Sequence, residues 1–162
     1  MKRTLILMRH AKTEDIRPGQ RDFDRELLSR GEADAAKIAQ TILTHCPRPE
    51  LLLSSTAKRT RQTAGIFLEA AGNDPAIEVQ NEQSLYHASS ETILHEILSV
   101  PDHVHCLMLV GHNPGISDFA FECSRKMAVG MPTASVAVFS FDAPDWLHFG
   151  AAPKTLEHYF HP

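Results

Sequence analysis

Cysteine, tryptophan, excess positive charge and long apolar runs are all scarce in this chain of 162 residues. Its three cysteines, Cys46, Cys106 and Cys123, are odd in number and far apart. That excludes a disulfide scaffold and suits reduced thiols in or near a core, as expected of a cytoplasmic protein. Lysine and arginine number 16 against 20 aspartates and glutamates, a net charge of −4, so no overall basic field recruits nucleic acid or an anionic membrane. Aromatic residues make up only 7%, and no platform on which bases could stack is evident. Neither a nucleic-acid nor a membrane partner is therefore expected. The apolar run nearest the N-terminus, Leu5-Ile6-Leu7-Met8, stops at Arg9, too soon for a signal-peptide core or a membrane span. Ten histidines raise the question of metal. His103-x-His105 and His158-x-x-His161 lack the Cys pair or His-Glu-x-x-His helix that would make such spacing a site. No metal and no cofactor is expected.

What the chain does have is apolar content, 43%, enough for one domain spanning residues 1–162. The run Leu5–Met8 reads as a buried strand. Ser29-Arg30-Gly31-Glu32 has capping-box spacing, and Ala35, Ile38, Ala39, Ile42 and Leu43 follow at helical intervals until Pro47. A strand at Leu51–Ser54 precedes a second helix whose face carries Thr60, Ala64, Phe67, Leu68 and Ala71, with Gly72 as its stop. Ile77–Gln80 reads as a strand and Ser89–Val100 as a helix closed by Pro101. Cys106–Val110 is a further buried strand. It leads into a helix from Pro114 to Lys126, with Asn113 as N-cap and Pro114 in the first position. The tail, Ser135–Phe141 and Trp146–Phe149 around Asp142-Ala143-Pro144-Asp145, is predicted to be a β-hairpin adding one antiparallel edge strand. No repeat, linker or low-complexity tract interrupts the alternation. The expected fold is α/β, three layers, with a mostly parallel sheet covered on both faces.

Several strand ends in this layout carry basic groups: Arg9 and His10 after the first strand, Arg59 beyond the second, and His112 after the central run Cys106–Val110. Parallel strands bring their C-terminal ends to one edge, where ligands bind in open α/β sheets. An Arg-His pair alone is an ordinary solvated strand end. Two guanidiniums and two imidazoles at one point need an anion or carboxylates to offset their repulsion. Ser54–Ala64 opens the second helix with Lys58, Arg59 and Arg61. A solvated basic first turn accounts for Lys58 and Arg61 but fits Arg59 less well, because a cation is unfavourable at the positive end of a helix. Phosphate is the anion these groups suit, since an imidazole nitrogen can attack phosphorus while guanidiniums hold its oxygens.

Together these segments resemble the histidine phosphatase superfamily, with its phosphoglycerate mutase-like fold, and within it the SixA-like phosphohistidine phosphatases. The resemblance rests on Leu7–Thr13, Leu28–Ala35, Ser54–Ala64 and Val110–Gly115, in family order. It implies that His10 is the nucleophile, that Arg9 and Arg59 clamp the phosphoryl oxygens and that His112 completes the pocket. Lys12 and Thr13 would line its rim. Two departures stand out: Ala11 and Ile16 replace the Gly and Asn of the mutase pattern, and His87 stands near where larger members carry a carboxylic general acid, Glu82 being the nearest acidic residue. The missing acid disfavours alkyl phosphate esters, whose alkoxide must be protonated, over phosphohistidine, whose imidazole is readily protonated. The expected activity is removal of a phosphoryl group from protein phosphohistidine without metal, through phosphorylated His10. A small phosphorylated metabolite as substrate, and a phosphoprotein-binding module without turnover, are the alternatives.

Overall fold

The computed structural model describes residues 1–162. Six strands and four α-helices alternate as β1 (Lys2–Arg9), α1 (Ser29–His45), β2 (Leu51–Ser55), α2 (Lys58–Ala70), β3 (Glu78–Glu82), α3 (Ser90–Leu98), β4 (Cys106–Gly111), α4 (Gly115–Cys123), β5 (Val136–Asp142) and β6 (Thr155–Phe160). The strands form one sheet in the order β3-β2-β4-β1-β5-β6. The first four in that order are mutually parallel, whereas β5 runs antiparallel to β1 and β6 antiparallel to β5. Because side chains alternate along a strand, the central strands feed two cores. Leu5, Leu7, Leu53, Leu107 and Leu109 pack with Ile93 and Ile97 of α3 and Ile116 and Phe119 of α4. Ile6, Met8, Leu52, Met108 and Val110 pack on the other face with Ala35, Ile38 and Ile42 of α1 and Ala64 and Phe67 of α2. The result is the three-layer α/β fold that the alternating pattern implies.

The tail corrects the expectation. β5 lies inside the sheet against β1, and its hairpin partner is β6, not Trp146–Phe149. Trp146 and Phe149 are buried plugs: Phe141 meets both edge-on at ring separations of 5.2 and 5.0 Å, and Trp146 Nε1 donates to the Val104 carbonyl at 2.7 Å. Three-dimensional packing takes these aromatics, while the edge strand β6 alternates between exposed and half-buried residues. Beneath them Arg3, 1% exposed, donates to the carbonyls of Ala143, Asp102, Val104 and Pro144 at 2.6–3.3 Å. It ties the start of β1 to two loops.

Two helix starts also differ. Ser29 is the first residue of α1 rather than its cap; Leu28 holds that place without a side-chain bond. α4 begins at Gly115, and Asn113 spends its side chain elsewhere, donating to the Met131 carbonyl and accepting from Ser117 Oγ. Both helix starts are seated closely on neighbouring backbone. A Cβ on Gly31 would lie 2.1 Å from the Lys12 carbonyl oxygen, and one on Gly115 would lie 1.8 Å from that of Ala88. Each helix is thus seated directly on a segment that carries pocket residues, Lys12–Thr13 in one case and His87 in the other.

Candidate active site

Strand register builds the centre of the site. Arg9 is paired with Gly111 across β1 and β4, and the next amide, His10 N–H, donates to the Gly111 carbonyl at 3.1 Å. His10 and His112 therefore emerge side by side, with ring centroids 5.4 Å apart. Arg59 arrives from the first turn of α2, buried to 2% exposure. A cavity of about 330 Å³ is lined by Arg9, His10, Lys12, Thr13, Asp15, Asp22, Arg25, Arg59, His87, His112, Asn113 and Thr133. All the residues that the sequence singles out as site members, Lys12, Thr13 and His87 included, line this one cavity. Glu82, at the end of β3, does not. A larger groove, about 860 Å³, runs between α1 and α2 through Glu32, Ala36, Gln62 and Ile66, but no cation or imidazole lines it.

The hydrogen bonds set the chemistry of each imidazole. His10 Nδ1 lies 2.8 Å from the Ala11 carbonyl, which can only accept. The ring proton therefore sits on Nδ1, and Nε2 keeps its lone pair. Burial pushes His10 from 6.5 down to about 4; the Ala11 bond opposes this, while Arg59, Arg9 and Arg25 add to it. His10 is neutral throughout the physiological range. His112 is pushed lower still, to about 2, by burial first and then by Arg59, His10 and His87, with Asp22 opposing. Its Nε2 lies 2.8 Å from Ser55 Oγ, which already accepts from the Ala57 amide. A chain in which Ser55 donates to His112 Nε2 uses the hydroxyl proton and leaves a proton on Nδ1.

Several buried donors have no protein partner: Arg9 Nε, Arg59 Nε and His112 Nδ1. All belong to this cavity, where a tetrahedral oxyanion would satisfy them. Burial first, and then the neighbouring Arg59, lower the pKa of Arg9. Two guanidiniums brought together in a buried pocket favour an anionic ligand. Thr63 fixes the backbone geometry, its Oγ1 accepting from the Ala11 amide and donating to the Arg59 carbonyl. Lys12 is exposed at the rim. Thr13 Oγ1 accepts from Arg25 Nη2 at 2.7 Å, leaving its own proton free.

Sequence reasoning missed Asp22, Arg25 and Tyr86. Asp22 lies in a 3-10 turn, Asp22–Asp24, within the loop joining β1 to α1. Its Oδ2 accepts from Arg59 Nη2, Tyr86 OH and His87 Nε2 at 3.0, 2.7 and 2.9 Å, its Oδ1 from Arg25 Nη1 at 3.0 Å, and its carbonyl from Arg59 Nη1 at 2.8 Å. Burial would raise this carboxyl, but bonds from Tyr86, Arg25, Arg59 and His87 outweigh it and hold it well below the usual carboxylate range. The available signal was the charge-dense run Arg21-Asp22-Phe23-Asp24-Arg25, which follows the strand that ends on Arg9 and shares its sheet edge.

The model of the histidine phosphatase superfamily (branch 1) matches residues 5–86. An uncharacterised protein of Mycobacterium leprae is 31% identical over 153 residues, 87% of this chain and 91% of the relative. A candidate phosphohistidine phosphatase SixA from Agrobacterium tumefaciens superposes with a TM-score of 0.84 at 33% identity, covering 99% of this chain and 98% of the other. Its counterpart from Nakamurella multipartitia gives 0.83 at 30% identity, covering 100% and 97%. On the match of its first half and on close relatives spanning nearly all of its length, the chain belongs to the histidine phosphatase superfamily, branch 1.

Proposed function

We propose that residues 1–162 form one metal-independent phosphatase domain that removes phosphoryl groups through a phosphorylated His10, with protein phosphohistidine as its preferred substrate. One observation carries the reading. His10 presents an unprotonated Nε2 beside Arg9, Arg59 and His112, and each of those neighbours holds a buried N–H or ring nitrogen without a protein partner. In the first step Nε2 attacks phosphorus as the substrate's P–N bond breaks, and the leaving imidazole takes up a proton from solvent. In the second, water attacks phosphorus, the bond to His10 breaks, and inorganic phosphate leaves. Arg9 and Arg59 offset the equatorial oxygens in both steps, and His112 donates from Nδ1. Phosphoryl transfer needs such placement and charge more than acid–base power.

Two features favour phosphohistidine. The similar structures from Agrobacterium and Nakamurella bear the name of a phosphohistidine phosphatase. The carboxylate deepest in hydrogen bonds, Asp22, is ionised and saturated with donors, so it is no source of protons for an alkoxide. Neutralisation of the phosphoryl charge rests on guanidiniums, and no group of three or more His, Cys, Asp or Glu side chains is placed to hold a metal ion. The test is an assay of a histidine-phosphorylated protein alongside aryl and alkyl phosphate monoesters, with intact-mass analysis under non-acidic quench. Phosphohistidine cleaved fastest, with a phosphoryl adduct absent from His10→Ala, supports the reading. A small ester cleaved faster assigns the same apparatus to a metabolite. Neither turnover nor adduct leaves a phosphate-binding module.

A further inference from the structure

Asp22 is joined to the pocket from several directions. Its loop is already fastened independently: Glu14 N–H donates to the Glu26 carbonyl, Leu28 N–H to the Lys12 carbonyl, and Thr13 bridges Leu27. That frame presents Asp22 to Arg59 from α2 and to Tyr86 and His87 beyond β3. Building on the phosphatase reading above, we propose that Asp22 is a positioning residue, setting the Arg59 guanidinium for the phosphoryl oxygens and holding the His87 ring at the leaving-group side.

The bonding pattern supplies the reason. Asp22 takes one N–H from each Nη of Arg59, through its carboxylate and its own carbonyl, so the guanidinium plane is fixed by two points. Two-point fixation restricts rotation about the last side-chain bonds and leaves Nε and the second hydrogens on each Nη free for ligand. The Tyr86 ring lies 6.0 Å from the Arg59 carbon centre and its hydroxyl reaches the same Oδ2, which pins the carboxylate in turn. A carboxylate only accepts, so His87 carries a proton on Nε2 and its ring is held by that bond. Asp22 also places a negative charge against Arg25 and Arg59, which offsets part of their repulsion. With its Oδ2 already accepting three bonds, Asp22 acts through Arg59 and His87, not on the substrate itself.

The decisive experiment is a double-mutant cycle of Asp22→Asn with Arg59→Lys, read by tungstate affinity in calorimetry and by kcat/KM on p-nitrophenyl phosphate, with melting curves for all four proteins. The amide turns a donor toward Arg59. We expect tungstate affinity and kcat/KM to fall about 10-fold or more in the wild-type background and less than about 3-fold beside Arg59→Lys, the non-additivity of residues that act together. Equal losses in both backgrounds, or values within 2-fold of wild type, would overturn the proposal, because a loop anchor lowers the melting temperature without coupling to Arg59. If Asp22→Asn does not fold, Tyr86→Phe removes one pin and should weaken tungstate by about 3-fold; an unchanged affinity in that variant overturns the proposal as well. Should the wild type turn over no phosphoryl substrate, the phosphatase reading fails while the tungstate affinities still decide the role of Asp22.

Discussion

Arg3 and Arg9 stand at opposite ends of β1 and are used in opposite ways. Arg3 is 1% exposed, and its guanidinium donates to four backbone carbonyls from the loops before β4 and after β5. Arg9 gives one bond to a carbonyl, that of Met131, and keeps a buried Nε without a partner, as Arg59 does. Burial alone therefore does not separate a structural arginine from a ligand-binding one; the unspent donors do. A satisfied guanidinium stabilises the chain that encloses it, whereas an unsatisfied one carries a desolvation cost that only an anion offsets. The same contrast divides the sheet, with aromatic packing at the Arg3 end and polar groups in want of ligand at the other.

The largest expected effect comes from breaking the open end at its centre. His10→Ala should lower turnover by about 10⁴-fold or more and abolish the phosphoryl adduct, a loss far beyond what removal of one buried, hydrogen-bonded ring costs in stability. An active, adduct-forming His10→Ala protein would assign the nucleophile elsewhere. Next comes a crossover between the two arginine classes. Arg59→Lys should reduce kcat/KM by about 10²-fold or more with a small change in stability, because a point charge replaces a planar fork. Arg3→Met should instead leave kcat/KM near wild type while stranding carbonyls at a cost of about 3–5 kcal/mol. For a chain of this size that is a fall of about 10 °C in Tm. Matching losses of activity and stability in both variants would erase the distinction.

A third test uses pH. His10 is depressed to about 4, so the neutral, attacking form is present above that value and activity fails as pH drops through about 4, not through 6.5. The stability sign follows from linkage. Between 6.5 and about 4 the unfolded chain binds a proton at this imidazole that the folded chain refuses, so stability falls as pH is lowered across that window. NMR titration of the His10 ring should give a midpoint near 4; a midpoint near 6.5 would show that burial and the arginines do not govern it. The smallest effects should come from the rim and from metal removal. Lys12→Ala is expected to cost less than about 3-fold in kcat/KM, as befits an exposed point charge. EDTA should leave activity unchanged, and a loss restored by added divalent metal would refute the guanidinium-based mechanism.

By itself the sequence determined the strands and helices of the parallel half, since Leu5–Met8, Leu51–Ser54 and Cys106–Val110 must be buried and their C-terminal residues must share an edge. That is why Arg9, His10, Arg59 and His112 were legible: Arg9, His10 and His112 stand at the ends of strands whose apolar pattern is unambiguous, and Arg59 opens the helix that follows such a strand. Only the tertiary structure decided what chain-distant groups do to one another. Trp146–Phe149 carries strand-forming residues but is held by contacts with Phe141 and Val104, while the more exposed Thr155–Phe160 takes the edge. The Ser29 capping spacing is present, yet Leu28 takes the cap position and Gly31 lies against the Lys12 backbone. Asp22 lies in a loop without periodicity, and its worth comes from Arg59, Tyr86 and His87, which the fold brings from two other segments. Periodic burial is a local property that a sequence displays, whereas hydrogen bonds between loops depend on where the whole sheet places their ends.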